Sequence, residues 1–561
     1  MTEQRDKEYW NPQLCAGYAR CGSTQQRAGF GTDTGFDYRP VLQGSSCQCA
    51  RDAAHAYSTS APMAKYEPGQ RVCLAYPSKN HVAACGNPYI PDHGVRIYRS
   101  ERNATSDPTF GQWPVKYSHL NGQHQNGMVD YKGFQNCPKF CENMDKSLCT
   151  LCFDLESDLA PGMYTFHFDW TFNGPTDAYA SCFEAEVVDS APLLKTASTN
   201  MIDFKTEKGQ IWANGQPFMI KGASWFGFEE VTNVIHGLWG QLSIDDGLAF
   251  LAKNDFNALR VPYSVSTVLT NPLLDDGLVS MEPTLQGKRM LDALDLLIAK
   301  AQEHNIVIML DAHRLRPEAG IGELWYDDLT SESDCIQAWT ILARRFCSTW
   351  NVIAADLKNE PHGEAEWGSG SPKDWRLGAE RLGNAVLQEC PRWLIFVEGV
   401  EKNIVGDDNT NSENGWWGGK LQGARNFPIR LSDPSKLVYS PHVYGPSVFM
   451  KPSFAHPAFP ENLVPIWTAD FGQVPEFPDA KPIVVGEWGG HFVKKDKAWQ
   501  ERIQTYMVAN GIGHFYWSLN PNSGDTGGLL QDDWQTPEQS KLDLLKPCAS
   551  TKISALFKTS E

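Results

Sequence analysis

Two glutamates carry the chemistry most directly: Glu360, in Asn359-Glu360-Pro361, and Glu487, in Gly486-Glu487-Trp488. Cleavage of a glycosidic bond needs such a pair. One carboxyl group protonates the leaving oxygen, and the other acts on the anomeric carbon. At a separation of about 5–5.5 Å the second is a nucleophile and the anomeric configuration is retained. The acid must keep a raised pKa while the nucleophile stays ionised. Arg260 near Glu487 would favour the ionised form, and Tyr444 would hydrogen-bond the same carboxylate. Asn359 would hold the sugar 2-hydroxyl, a contact that strengthens in the transition state. His313 and His442 with Asp311 offer a rival reading as zinc ligands. No HExxH or comparable spacing supports it, so neither metal nor cofactor is expected.

The elements that must position these residues are legible. Strands are predicted at 218–223, 258–261, 306–311, 352–357, 394–398, 437–440, 483–485 and 514–518. Ile306-Val-Ile-Met-Leu310 is a continuous apolar run, as in a strand buried on both faces. Helices separate them: Met290, Leu291, Leu294, Leu297, Ile298 and Ala301 recur at helical spacing, as do Trp375, Ala379, Leu382 and Val386. Eight such units predict a (β/α)8 barrel. A doubly wound sheet is the alternative, but no glycine-rich dinucleotide fingerprint follows the first strand. In a barrel the chemistry sits at the C-terminal strand ends. Those ends carry Arg260, Asp311, His313, Asn359, Glu360, Glu398, His442, Tyr444, Glu487 and Trp517. Singly, each has a bland reading as a salt-bridged or hydrogen-bonded scaffold residue, and Glu398 is read as structural. Their convergence on one mouth is hard to explain as packing. Trp225, Trp325, Tyr326, Trp416, Trp417, Trp488, Trp517 and Trp534 lie in or near the same loops, where flat sugar faces stack on indole. The flanks of Trp416-Trp417 look the most exposed.

The chain has 561 residues, 41% hydrophobic, with 19 Trp and 27 Phe, which excludes a mostly disordered protein. A net charge of −18 without a basic tract argues against nucleic acid or an anionic membrane surface. No apolar run reaches the roughly 20 residues of a membrane helix. Of 15 cysteines, eleven lie at or before Cys182. That density predicts a disulfide-stapled module from an oxidising compartment, with zinc at Cys137-x3-Cys141 and Cys149-x2-Cys152 as the competitor. Residues 1–13 show no signal peptide, so the protein is either cytosolic or has a start other than the one seen, and the cysteine framework favours the second. Asn103-Ala-Thr105 is a sequon. The expected layout is a Cys-rich β-sandwich-like module at 1–188, a linker at 189–203 and the barrel at 204–561. The alternating Gly162–Asn173 segment and Cys182–Val188 supply two strands of the module.

Long motifs in order resemble glycoside hydrolase family 5, and most closely the bacterial-type endo-β-1,4-glucanases. They include Lys221-Gly-Ala-Ser-Trp-Phe-Gly-Phe-Glu229, His236-Gly-Leu-Trp239, Leu259-Arg-Val-Pro-Tyr263, Leu310-Asp-Ala-His-Arg314, Leu324-Trp-Tyr326, Asn359-Glu-Pro-His362, Leu394-Ile-Phe-Val-Glu-Gly399, Trp416-Trp-Gly-Gly419, Gly486-Glu-Trp-Gly489 and the segment from Trp517 to Gly528. The resemblance implies a retaining enzyme with Glu360 as acid/base and Glu487 as nucleophile. It places Arg260, His313, Asn359, His442, Tyr444 and Trp517 on the substrate. Trp225, His236, Trp325 and Trp417 join them as expected substrate contacts. Lys358 before Asn359 and Trp488 after Glu487 depart from the family pattern. The implied partner is cellulose or a related β-glucan met by a secreted monomer. The alternatives are another β-glycan such as mannan or xyloglucan, or a non-catalytic glycan-binding protein. The first part, through Tyr66–Tyr76, Lys79-Asn-His81 and Gly162–Trp170, loosely resembles the sandwich of copper-dependent lytic polysaccharide monooxygenases. His81 would be one copper ligand, but no His precedes His55 to complete the pair.

Overall fold

A computed structural model describes residues 17–20, 47, 50–51, 56–58, 62–66, 68, 71–77, 94–109, 111–117, 148–156, 159–171, 178–188, 201–406 and 413–557. The chain divides into two compact units, 1–192 and 193–561.

In the first unit, β1 (Ala64–Tyr66), β3 (Gly94–Arg99), β4 (Val115–Tyr117), β6 (Gly162–Thr171) and β7 (Ala178–Val187) form a sheet in the order β1-β7-β6-β3-β4. A second sheet pairs β2 (Arg71–Pro77) with β5 (Leu148–Asp154). The alternation predicted at 162–171 is real: Tyr164, Phe166, Phe168 and Trp170 share one apolar cluster with Val72, Leu74 and Phe153 of the two-stranded sheet. Two sheets enclosing one core make this region sandwich-like. Residues on the other face of β6 and β7 are buried too. There the Cys47–Cys182 disulfide joins positions 135 residues apart, and Glu184 and Asp107 both clasp Arg20. Cys137, Cys141 and His81, and the side chains of Cys149 and Cys152, lie outside the described residues, so the zinc and copper expectations do too.

The second unit is a (β/α)8 barrel. Its strands are β11 (Lys221–Ser224), β12 (Ala258–Ser264), β13 (Val307–Arg314), β14 (Val352–Asp356), β15 (Leu394–Val397), β16 (Leu437–Tyr439), β17 (Val484–Trp488) and β18 (Gly513–Tyr516). All neighbours are parallel. Parallel bridges Tyr439–Ile483 and His442–Glu487 close the ring between β16 and β17. The helices between include α1 (Ile244–Lys253), α2 (Val265–Thr270), α3 (Met290–Glu303), α4 (Glu332–Phe346) and α5 (Trp375–Glu389), with α6 (Leu463–Trp467), α7 (Lys494–Ala509) and α8 (Gln539–Leu545) after them. The apolar positions that predicted α3 and α5 are all buried. No helix among the described residues is long and apolar enough to cross a membrane.

Period-2 alternation explains where the charge goes. At the strand starts, Ala258, Val307, Met309, Ala354, Leu394, Phe396, Val438 and Val484 point inward and form one cluster. Their alternates, Leu259, Ile308, Leu310, Ala355 and Ile395, pack outward under the helices. The next inward positions up the strands are Arg260, Asp311, Asp356 and Glu398, all fully buried. A three-stranded meander of β8 (Phe204–Glu207), β9 (Gln210–Ala213) and β10 (Gln216–Pro217) was not foreseen. Its Phe204, Ile211 and Ala213 join the inner cluster, so it plugs the bottom of the barrel.

Cys347, after α4, is bonded to Cys390, after α5, 43 residues on. A loop of that length restrains the unfolded chain by about 2–4 kcal/mol. Replacing both cysteines by Ser is expected to lower the melting temperature by several degrees with turnover unchanged, as scanning calorimetry and an activity assay would show.

Candidate active site

The site is organised around Arg260, which has no solvent exposure. Its Nε donates to Asp356 Oδ2 at 2.9 Å and Nη2 to Asn359 Oδ1 at 2.9 Å, while Nη1 donates to Glu487 Oε1. Asp311 Oδ2 lies 3.1 Å from Nη2. Asp356 was missed in the sequence because an acid one residue inside a strand end reads as packing. Burial lifts Asp311 and Asp356 to about 7, so the cluster holds fewer negative charges than it has acids.

Glu487 reaches the mouth through a register shift between Val485 and Trp488. Val484 faces in and Val485 out, so strict alternation would send Glu487 outward. The irregularity aims Glu487 inward and leaves Trp488 in the outer core. Gly486 is required there, since a Cβ would come within 2.7 Å of His442 Nε2. Tyr444 Oη donates to Glu487 Oε2 at 2.7 Å. Burial alone drives Glu487 upward, but the charges of His442 and Arg260 and the Tyr444 hydrogen bond outweigh it and hold the carboxylate below its ordinary range.

Glu360 follows β14 with a left-handed backbone, φ +54°, a conformation that costs free energy for a non-glycine residue. Its N–H donates to Glu398 Oε2 at 2.8 Å, and its carbonyl lies 2.7 Å from His362 Nδ1. Its Oε1 is 3.3 Å from His442 Nδ1. Burial pushes Glu360 up, aided by the nearby charge of Glu487. Oxygens of Glu360 and Glu487 lie within 4.8 Å of each other. That is short for two carboxyl groups flanking a water and suits direct attack.

His313 Nδ1 lies 2.6 Å from Asp311 Oδ2, and its other nitrogen is 3.5 Å from Asn359 Nδ2. Burial holds it far below its ordinary pKa, so the ring is neutral. Trp517 is half-buried, its ring near-parallel to those of Phe226 (5.4 Å, 8°) and His313 (5.3 Å, 10°). Trp417 is 41% exposed and stacks on His362 at 3.7 Å, beside Glu360, as a flat platform.

Three further expected substrate contacts are buried. Trp225 is fully buried, with its indole N–H on the His236 carbonyl and its ring against Gly247 of α1. Trp325 is fully buried against Trp375 and Gly378, and its N–H is taken by Glu332. Both are barrel-to-helix packing. His236 is buried edge-on to Phe226 and Trp239 and so supports the wall behind Trp517. Both departures in sequence are buried: Lys358 Nζ donates to the Asn359 carbonyl, and Trp488 Nε1 donates to His514 Nδ1 at 3.0 Å.

A (β/α)8 barrel whose C-terminal mouth holds two opposed carboxylates among aromatic platforms defines a glycoside hydrolase. Residues 211–523 match the model of the cellulase family, glycosyl hydrolase family 5, and the chain belongs to that family. An endoglucanase of Paenibacillus polymyxa is 44% identical over 350 residues, spanning 61% of this chain and 86% of that protein. The major extracellular endoglucanase of Xanthomonas campestris pv. campestris is 38% identical over 339 residues, 59% of this chain and 68% of that protein. Among solved structures, the hyperthermophilic endocellulase of the archaeon Pyrococcus horikoshii is 39% identical, with a TM-score of 0.59 over 62% of this chain and 99% of that one. A Glu-to-Ala variant of that endocellulase, solved with cellotetraose, is 38% identical, covering 63% of this chain and all of that one with the same TM-score.

Proposed function

We propose that the protein is a secreted endo-β-1,4-glucanase acting by retaining double displacement. The carrying observation is the Glu360–Glu487 pair, within 4.8 Å and with pKa values moved in opposite directions. In the first step Glu360 gives its proton to the glycosidic oxygen as a Glu487 oxygen attacks the anomeric carbon. The glycosidic bond breaks and a covalent glycosyl ester forms. In the second, Glu360, now ionised, takes a proton from water, whose oxygen displaces Glu487 and regenerates both groups. Arg260 and Tyr444 fix the attacking carboxylate, Asn359 offers its amide to the 2-hydroxyl, and Trp517 and Trp417 supply sugar platforms on either side of the bond. Cellotetraose, bound by the Pyrococcus relative, is a β-1,4-glucan fragment that fits this chemistry. The extracellular naming of the Xanthomonas relative and two disulfides support secretion. For the Cys-rich module at 1–188, joined through 189–203 to the catalytic domain at 204–561, the reading is polysaccharide binding. Deleting it is expected to weaken adsorption to insoluble cellulose while leaving turnover of soluble substrate intact.

The substrate reading is tested by reducing-sugar release from carboxymethylcellulose, glucomannan and xyloglucan. Release from carboxymethylcellulose is expected. Release only from another of the three would keep the mechanism and replace the glucan. The pH dependence follows from the two shifts. Glu487 must be ionised, and its lowered pKa keeps it so well into acid. Glu360 must be protonated, and its raised pKa carries the proton upward. The profile of kcat/KM is therefore expected to be a bell, its acid limb from Glu487 and its alkaline limb from Glu360.

A further inference from the structure

We propose that Glu398 is a positioning residue that keeps His442 doubly protonated between the two catalytic glutamates. This rests on the retaining-hydrolase reading of the pair. Glu398 is fully buried just after β15, with no surface open to a substrate. Its Oε2 accepts the Glu360 backbone N–H at 2.8 Å. Its Oε1 faces His442 Nε2 at 3.0 Å. The opposite nitrogen, Nδ1, faces Glu360 Oε1 at 3.3 Å and Glu487 Oε2 at 3.6 Å. Both ring nitrogens thus meet carboxyl oxygens, which only accept when ionised; burial lifts Glu398 to about 8 against the pull of the His442 charge, so the proton on Nε2 is one that the two groups share. Gly418, at φ +69°, lets the chain pass so close that any side chain there would collide with Glu398 Oε2. The carboxylate is therefore held in one place.

The other groups around His442 leave the assignment intact. Asp356 belongs to the same cluster of oxygens and nitrogens within 4.8 Å. Asp311 and His313 are close enough to feel the charge of His442, and Arg260 lies 3.6 Å from Glu398 Oε1. Lys358, behind Glu398, donates to the Asn359 carbonyl. The surrounding acids move His442 in the same direction, far above its ordinary pKa against the pull of burial.

Glu398→Gln tests the idea because an amide cannot do both jobs. Its oxygen stays on the Glu360 N–H, which turns its NH2 toward His442 Nε2 and forces a neutral ring. Glu487 then loses a neighbouring cation. In the full-length protein the acid limb of kcat/KM is expected to move up by about one pH unit, and kcat at the parent's optimum to fall about tenfold. Glu398→Asp keeps the charge and is expected to return the limb toward the parent's. A limb that stays in place in the Gln variant, whatever happens to kcat, overturns the proposal. If the Gln variant fails to fold, nitrogen-15 spectra of the parent's imidazoles decide. His442 is expected to be protonated on both nitrogens at pH 7, where burial keeps His313 and His514 neutral. A neutral His442 overturns the proposal. The spectra need no activity, so a parent that cleaves no glycan would defeat the functional reading and leave this test standing.

Discussion

Glu487→Gln is expected to lower kcat on carboxymethylcellulose by on the order of 10⁴-fold or more, with the melting temperature within a few degrees of the parent's. The covalent intermediate needs an anionic oxygen nucleophile, and the neutral, delocalised oxygen of an amide is a very weak one. A 10⁴-fold loss is about 5.5 kcal/mol of transition-state stabilisation, far more than a binding contact provides. The fold survives because Arg260, which loses Glu487, still has Asp311, Asp356 and Asn359 around it. Tyr444 and Trp517 still offer the sugar its surfaces, so cellotetraose binding measured by calorimetry should persist. Turnover near the parent's would remove Glu487 from the mechanism.

Glu360→Gln is the second large effect, and its size depends on the leaving group. Loss of general-acid help costs about 10²–10⁴-fold. A sugar alkoxide leaves poorly without a proton, so cello-oligosaccharides should suffer the full loss. An aryl β-cellobioside with an acidic phenol needs little protonation, so its first step should be nearly spared. A burst of phenol followed by slow turnover is the expected trace, because deglycosylation still lacks its base. Equal losses on both substrates would mean that Glu360 serves binding or structure instead.

Much of this was readable in the sequence, for physical reasons. Barrel strands buried on both faces give apolar runs such as Ile306–Leu310, and the polar residue ending each run stands out against them. What escaped depended on geometry that spacing does not encode. Glu487 points inward only because the register shifts before Trp488. Trp225, Trp325 and Trp417 occupy similar-looking loops, yet two are sealed under helices and one stacks on His362 in the open. Residue type alone does not separate a platform from a core indole. Glu398 stood out at a strand end but read as structural, because a lone acid after an apolar strand looks like scaffold until its two oxygens are seen to meet Glu360 and His442. The β8–β10 meander did leave a trace: Asn214-Gly215, both at positive φ, is a two-residue hairpin turn flanked by short strands. The strands of four and two residues it joins were too short to register beside the barrel.

The central claim is that Glu487 attacks the anomeric carbon directly, with no water between. Proton NMR of a cello-oligosaccharide digest, recorded within the first minutes before mutarotation, reads this out in the anomeric signals. The β-anomer of the new reducing end is predicted to appear first and the α-anomer to grow in later. An α-anomer appearing first would mean inversion, and would contradict the roles given to both glutamates.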